Sequence, residues 1–183
     1  MKKLHKNFFD KINVALKKTD INSLEKISSI LSEIKNNKKK VILFGNGGSA
    51  AIASHVSVDL TKNAGVRAIN FNEADLLTCF SNDYGYKNVF AKSLEFYADP
   101  GDVVIIISSS GKSKNVLEAA KLIKKMNLTL FTLTGFSKSN PLKKMGHINL
   151  WVNSKGYNVV ETVHQTWLLS IVDSIIGKIE YSS

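Results

Sequence analysis

The sequence predicts an α/β fold, a doubly wound parallel five-stranded sheet preceded by two helices. Three observations lead there. From residue 41 onward short apolar runs alternate with stretches of helical periodicity. Those runs are too apolar to leave one face in water, as strands of a parallel sheet covered on both sides are. Two of them end in Gly-rich or Ser-rich turns that open straight into helices. In such a sheet ligands bind outside the carboxyl ends of the strands.

Taken in order, residues 4–37 place Phe8, Ile12, Val14 and Leu16, then Leu24, Ile27, Ile30, Leu31 and Ile34 at helical spacing. The pattern breaks at Thr19-Asp20-Ile21-Asn22, where Asn22 and Glu25 have the spacing of a capping box, so two helices are expected. Strands follow at 41–45 (VILFG), 103–107 (VVIII), 128–134 (LTLFTLT) and 148–152 (INLWV), with a weaker one near Arg67 to Asn70. Residues 49–63, 73–80, 88–98, 112–126 and 158–180 read as helices. Residues 1–37 are therefore expected to form a helical pair that serves oligomerisation, and 38–183 the α/β domain.

Composition narrows the function. A chain of 183 residues, 44% hydrophobic and 22% charged, is a globular domain large enough for a real core. No apolar run approaches the roughly 18 residues of a membrane span, and the start mixes charge with apolar residues where a signal peptide would not; a cytoplasmic protein is expected. The single cysteine, Cys79, excludes an intramolecular disulfide and a multi-thiolate zinc site. Net charge is +10, but only Arg67 among the 25 basic residues is Arg, and the lysines are scattered. Base reading relies on the Arg fork, so nucleic acid is not the expected partner, whereas anionic small molecules are attracted by positive potential.

The strand ends carry the chemistry. The first gives Gly45-Asn46-Gly47-Gly48-Ser49, whose glycines let backbone amides approach an anion at a helix N-terminus, or merely allow a tight turn. It has neither the G-x-G-x-x-G spacing nor a following Gly-Lys-Ser/Thr, so no nucleotide cofactor is expected. The strand at 103–107 ends in Ser108-Ser109-Ser110-Gly111-Lys112-Ser113. Four hydroxyls within six residues are more than an N-cap requires and suit a phosphate; Lys112 either adds charge or is simply solvated.

These motifs resemble those of the sugar isomerase (SIS) domain: GNGGS after the first strand, SSSGKS after a central strand and LTG at 133–135. His55-x-x-x-Asp59-Leu60-Thr61, Ser81-Asn82-Asp83-Tyr84-Gly85 and the two leading helices make the chain similar to the phosphoheptose isomerase branch. The resemblance covers nearly the whole chain and implies a flavodoxin-like sheet. It also implies conversion of sedoheptulose 7-phosphate to D-glycero-D-manno-heptose 7-phosphate, for lipopolysaccharide or capsule, in a homotetramer built around the N-terminal helices. Carried over by residue, it makes Ser108, Ser109, Ser110 and Ser113 phosphate ligands, Asn46 and Ser49 sugar contacts beside Gly47 and Gly48, and Asp83 a neighbour of the sugar.

An aldose–ketose isomerase needs a base over the carbon and an acid or electrophile at the oxygens. His55 and Asp59, four apart, share a helix face, and so do Glu161 and His164, three apart. Such a set can bind zinc, with His55, Asp59 and Glu161 as ligands, or divide acid and base roles among Asp59, Glu161 and His164. The structural alternatives are a satisfied core histidine at 55 and a solvated pair at 161 and 164. The resembled enzymes have Glu where this chain has Asp59. In their last helix they have Gln, then a His eight residues later; aligned on His164 those positions hold Glu161 and Leu169, and a one-residue shift puts Ser170 at the second. The Glu161–His164 pair is expected to substitute. A non-catalytic SIS scaffold, or a phosphosugar-binding protein that acts through partner proteins, is the alternative. A phosphosugar-sensing regulator would bring a DNA-binding domain as well.

Overall fold

The computed structural model describes residues 1–181, so the last two of the 38–183 unit lie outside the described residues. The sheet is five-stranded and all-parallel, β1 Val41–Gly45, β2 Ala68–Asn70, β3 Val103–Ser108, β4 Thr129–Thr134 and β5 Ile148–Trp151, in the order β2-β1-β3-β4-β5. The helices are α1 Lys2–Lys17, α2 Ile21–Asn36, α3 Gly48–Lys62, α4 Ala74–Tyr84, α5 Val89–Tyr97, α6 Lys114–Lys125 and α7 Tyr157–Ile176. The chain runs outward from β1 to β2, then crosses to β3 on β1's other side, so the order reverses between β1 and β3. Their register sets Gly45 opposite Ile107, and the two strand ends open side by side.

Side chains on each strand alternate between two cores, as period-two geometry requires. Val41, Leu43, Val103, Ile105, Ile107, Phe131 and Leu133 pack with α2, α3 and α7. Ile42, Phe44, Val104, Ile106 and Leu130 pack with α5 and α6, where Phe44 stacks on Phe90 at 4.6 Å. At the amino ends of the strands Lys40 and Asp102, 8% and 1% exposed, tie β1 to β3. The Lys40 N–H donates to Asp102 Oδ1 at 3.0 Å, and its Nζ lies 2.6 Å from carboxylate oxygens of both Asp99 and Asp102. Burial pulls the Lys40 amine down, but hydrogen bonds with Asp102 and Asp99 outweigh it and hold it above the ordinary lysine value.

The two N-terminal helices part company. Leu24, Ile27, Leu31 and Ile34 of α2 are buried in the same core as the sheet, whereas α1 has no buried residue and lies along α7. The cap between them is not the Asn22–Glu25 box that the spacing predicts. Asp20 caps α2, accepting from Ser23 N at 3.2 Å and from Ser23 Oγ at 2.7 Å, because the helix begins at Ile21 and so puts Asp20, two residues before Asn22, at the N-cap position. The predicted last helix is also shorter than 158–180: Gly177, with φ +82, ends it in the left-handed conformation. Among the described residues no helix is long and apolar enough to cross a membrane.

Because α2 belongs to the central core, Leu31→Ala, at a residue 1% exposed, is expected to cost about 2–5 kcal/mol of stability. Urea unfolding measures this, and a loss below about 1 kcal/mol would show that α2 is not integral to the core.

Candidate active site

The turn after β1 is built by close approach. A Cβ on Gly45 would stand 2.5 Å from the Ile107 carbonyl oxygen and 2.7 Å from Ser49 Cβ, so only glycine lets β1 meet β3 and α3 there. Gly47, with φ +57, is the N-cap residue of α3 and turns the chain into it. Opposite, Ser108 and Ser109 are buried at 6% and 5% exposed, and Gly111, with φ +62, has the Asn140 side chain where a Cβ would stand. Ser113 occupies the N-cap position of α6, but its hydroxyl makes no capping hydrogen bond. The serines are therefore not consumed as a cap.

Together these turns line a cavity of about 260 Å³: Asn46, Gly47, Gly48 and Ser49 on one wall, Ser108, Ser109, Ser110 and Ser113 on the other, with Tyr157 and Glu161 from α7. The N-termini of α3 and α6 both open beside it, directing backbone N–H groups and the positive ends of two helix dipoles toward it. Ser109 Oγ is buried with no hydrogen-bond partner, an uncommon and costly state for a hydroxyl in a folded protein. Lys112 is exposed and its N–H donates to Ser110 Oγ at 3.3 Å.

A second cavity, about 450 Å³, continues along α3 and α7 and is lined by Gly48, Ala51, Ile52, His55, Asn158, Glu161, Thr162 and Gln165. Glu161 and Gly48 line both cavities. The Glu161 carboxylate lies where a Cβ on Gly48 would be, so that glycine also admits the acid to the junction. His55, half exposed, faces Asp59 with Nε2–Oδ2 3.2 Å, and Gln165 Nε2 meets its Nδ1 at 3.0 Å. The Asp59 carboxylate can only accept, so it faces a His55 Nε2–H, and the Gln165 amide closes on the ring from its Nδ1 side. A larger groove of about 600 Å³ between α1 and residues 151–155 has none of this chemistry in its walls.

Three expectations are not met by the placement. His164 is not paired with Glu161: it is 0% exposed, beside Trp167, with Nε2 donating to the Thr134 carbonyl at 3.1 Å and Nδ1 without a partner. Burial pushes its pKa down to about 4, against a smaller upward pull from the Thr134 hydrogen bond. Asp83, at the end of α4, is exposed, lies 3.6 Å from Cys79 Sγ and lines neither cavity. His55, Asp59 and Glu161 do not assemble as metal ligands; among the described residues no three His, Cys, Asp or Glu side chains come together as such a set.

A sequence model of the SIS domain matches residues 7–135. The chain belongs to the SIS domain family. It is 33% identical over 172 residues to the probable phosphoheptose isomerase of Thermoplasma volcanium, covering 88% of this chain and 87% of that one. It is 34% identical over 167 residues to the phosphoheptose isomerase of Cytophaga hutchinsonii, with 88% and 85% covered. The structure of the phosphoheptose isomerase from Neisseria gonorrhoeae superposes with a TM-score of 0.86 at 26% identity, over 95% of this chain and 98% of that one. Within the SIS family the chain thus sits on the phosphoheptose isomerase branch, among isomerase enzymes.

The contact with His55 brings into the site Gln165, a residue that the spacing argument passes over. Gln165 stands one turn beyond Glu161 on α7, and Asp173, half-buried, lies eight residues farther along the helix. Two signals in the sequence point to this. Gln165 is four residues from Glu161 and so shares its face, while Val160, Val163, Trp167 and Ile171 form the apolar stripe on which His164 falls.

A histidine buried neutral resists protonation that the unfolded chain accepts below its ordinary value of 6.5. Its contribution is fully present above pH 6.5 and is lost as pH falls toward 4, with a slope of up to about 1.4 kcal/mol per pH unit. His164→Gln is expected to flatten the pH dependence of urea stability over that window, and a variant with the wild-type slope would refute the assignment.

Proposed function

We propose that this SIS enzyme is a phosphosugar isomerase acting on sedoheptulose 7-phosphate, with D-glycero-D-manno-heptose 7-phosphate as product, for lipopolysaccharide or capsule. The observation that carries the reading is the serine-lined cavity, with Ser109 Oγ buried and unpaired between two helix N-termini. A phosphate dianion satisfies that hydroxyl, together with Ser108, Ser110 and Ser113, and is stabilised by neutral donors and dipoles without a buried cation. The names of the relatives support the heptose phosphate as substrate.

The sugar then runs from the phosphate along Asn46, Gly47, Gly48 and Ser49 toward the junction at Glu161. There Glu161 is the base: it takes the proton from C1 of the ketose while the C2 carbonyl oxygen takes one from a second group, giving the enediol, and a proton is then delivered to C2 as the C1 hydroxyl gives up its own and becomes the aldehyde carbonyl. His55, on the wall that Glu161 shares, is held between Gln165 and Asp59, which lies behind it off the cavity wall, and forms with Asp59 the second proton-carrying unit; Asp173 is farther along the helix. His164, buried against Thr134, holds α7 to β4 instead of carrying protons. A catalytic zinc usually has three protein ligands, and His55, Asp59 and Glu161 do not converge to supply them.

Proton NMR of sedoheptulose 7-phosphate incubated with the protein in D2O, with and without added zinc, tests the reaction. Heptose 7-phosphate with deuterium at C2 is expected, and Glu161→Gln is expected to lower kcat at least about 100-fold. Neither product nor exchange from the wild type would sink the proposal.

Assembly into a homotetramer belongs to the same reading, and α1 supports it. Leu4, Phe9 and Val14 are 71%, 60% and 54% exposed on a helix with no buried residue, an apolar surface suited to packing on other copies. Removing residues 1–18 is expected to leave the sheet folded and reduce the mass seen by light scattering to that of a smaller species. A truncated protein of unchanged subunit number would refute the role of α1.

A further inference from the structure

The Asn46 side chain on the cavity wall is held by two residues from elsewhere in the chain. Asn115, in the first turn of α6 and 3% exposed, faces it in a two-way amide pair. Asn46 Nδ2 donates to Asn115 Oδ1 at 3.0 Å, and Asn115 Nδ2 donates to Asn46 Oδ1 at 2.9 Å. Tyr86, in the 3-10 turn Tyr86–Asn88, donates its hydroxyl to the same Asn46 Oδ1 at 2.7 Å.

The direction of the pair is determined by a fourth bond. Asn115 Oδ1 also accepts from the Val116 backbone N–H at 3.0 Å, which an amide nitrogen cannot do, so Asn115 turns its nitrogen to the Asn46 oxygen. With two donors on Asn46 Oδ1, both its lone pairs are occupied. What remains to the side chain is one N–H on Nδ2. In the cavity it lines, Asn46 is left as a donor, fitted to a ligand oxygen that accepts. Phosphate lies on the serine wall, so the acceptor is on the sugar end of the ligand.

The geometry points to Asn115 and Tyr86 as positioning residues that lock Asn46 as a hydrogen-bond donor to a sugar oxygen and take no part in phosphate binding. This rests on the phosphosugar reading above. Neither residue lines the serine cavity, so each acts through Asn46.

Calorimetric titration of the full chain with sedoheptulose 7-phosphate and, separately, with inorganic phosphate tests it. Tyr86→Phe keeps the ring and removes only the hydroxyl at a residue 57% exposed, so the fold is not at risk. It is expected to weaken the sugar phosphate about threefold to tenfold, the size of one hydrogen bond, and to leave inorganic phosphate within about twofold. In an Asn46→Ala background the same change is expected to do nothing further, because its route is gone. Asn115→Asp, which keeps the acceptors and loses the donor, is expected to repeat the pattern in protein shown folded by circular dichroism. Wild-type affinity for the sugar phosphate in Tyr86→Phe, equal losses toward both ligands, or full additivity with Asn46→Ala overturns the inference while the phosphosugar reading stands. A wild-type protein that binds neither ligand overturns that reading, and this one with it.

Discussion

The parallel pairing of β1 with β3 is the constraint on which the site depends. Gly45 opposite Ile107 brings the ends of two strands together at the point where the sheet order reverses, and each strand leads into a helix whose N-terminus is the positive end of its dipole. One such terminus is a weak anion site. Two side by side, with four serine hydroxyls between them, make a cup for a dianion without placing a lysine inside it. At the opposite end of the same strands the Lys40–Asp102 contact fastens the pair. The excess positive charge of the chain then acts at long range, drawing anions toward the protein, and not as a direct ligand.

The last helix divides its labour by face. Val160, Val163, His164, Trp167 and Leu168 are buried against the sheet, with His164 bonded to the end of β4. Glu161 and Gln165, one turn apart on the other side, reach the two cavities and His55. The apolar face sets the height and rotation of the helix, and that in turn sets how far Glu161 reaches past Gly48. A change in the packing of α7 is therefore also a change in the chemistry at the junction.

Much of this was legible in the sequence, since strands and Gly- or Ser-rich turns are local patterns. VILFG and VVIII read as strands of a covered sheet, and GNGGS and SSSGKS read as ligand turns, from composition and spacing alone. What failed depended on choosing between adjacent residues or on partners far along the chain. Asp20 and Asn22 are both able caps, and only the backbone decides between them. His164 and Gln165 are neighbours with opposite fates, and the chemical attraction of an imidazole outweighed the apolar periodicity that put it in the core. The contacts of Asn46 with Tyr86 and Asn115 span 40 and 69 positions, and no local pattern announces them.

The hinge between α1 and α2 is short, and one side chain in it is tied down: Trp167 Nε1 donates to Thr19 Oγ1 at 2.8 Å. The first helix thus leaves the body from a fixed point while contributing no buried residue to it. Substitutions on its outward face bear on assembly and leave the core behind the chemistry in place. Subunit contacts through α1 can therefore be altered by exchanging a handful of surface residues, separately from the packing that positions the site.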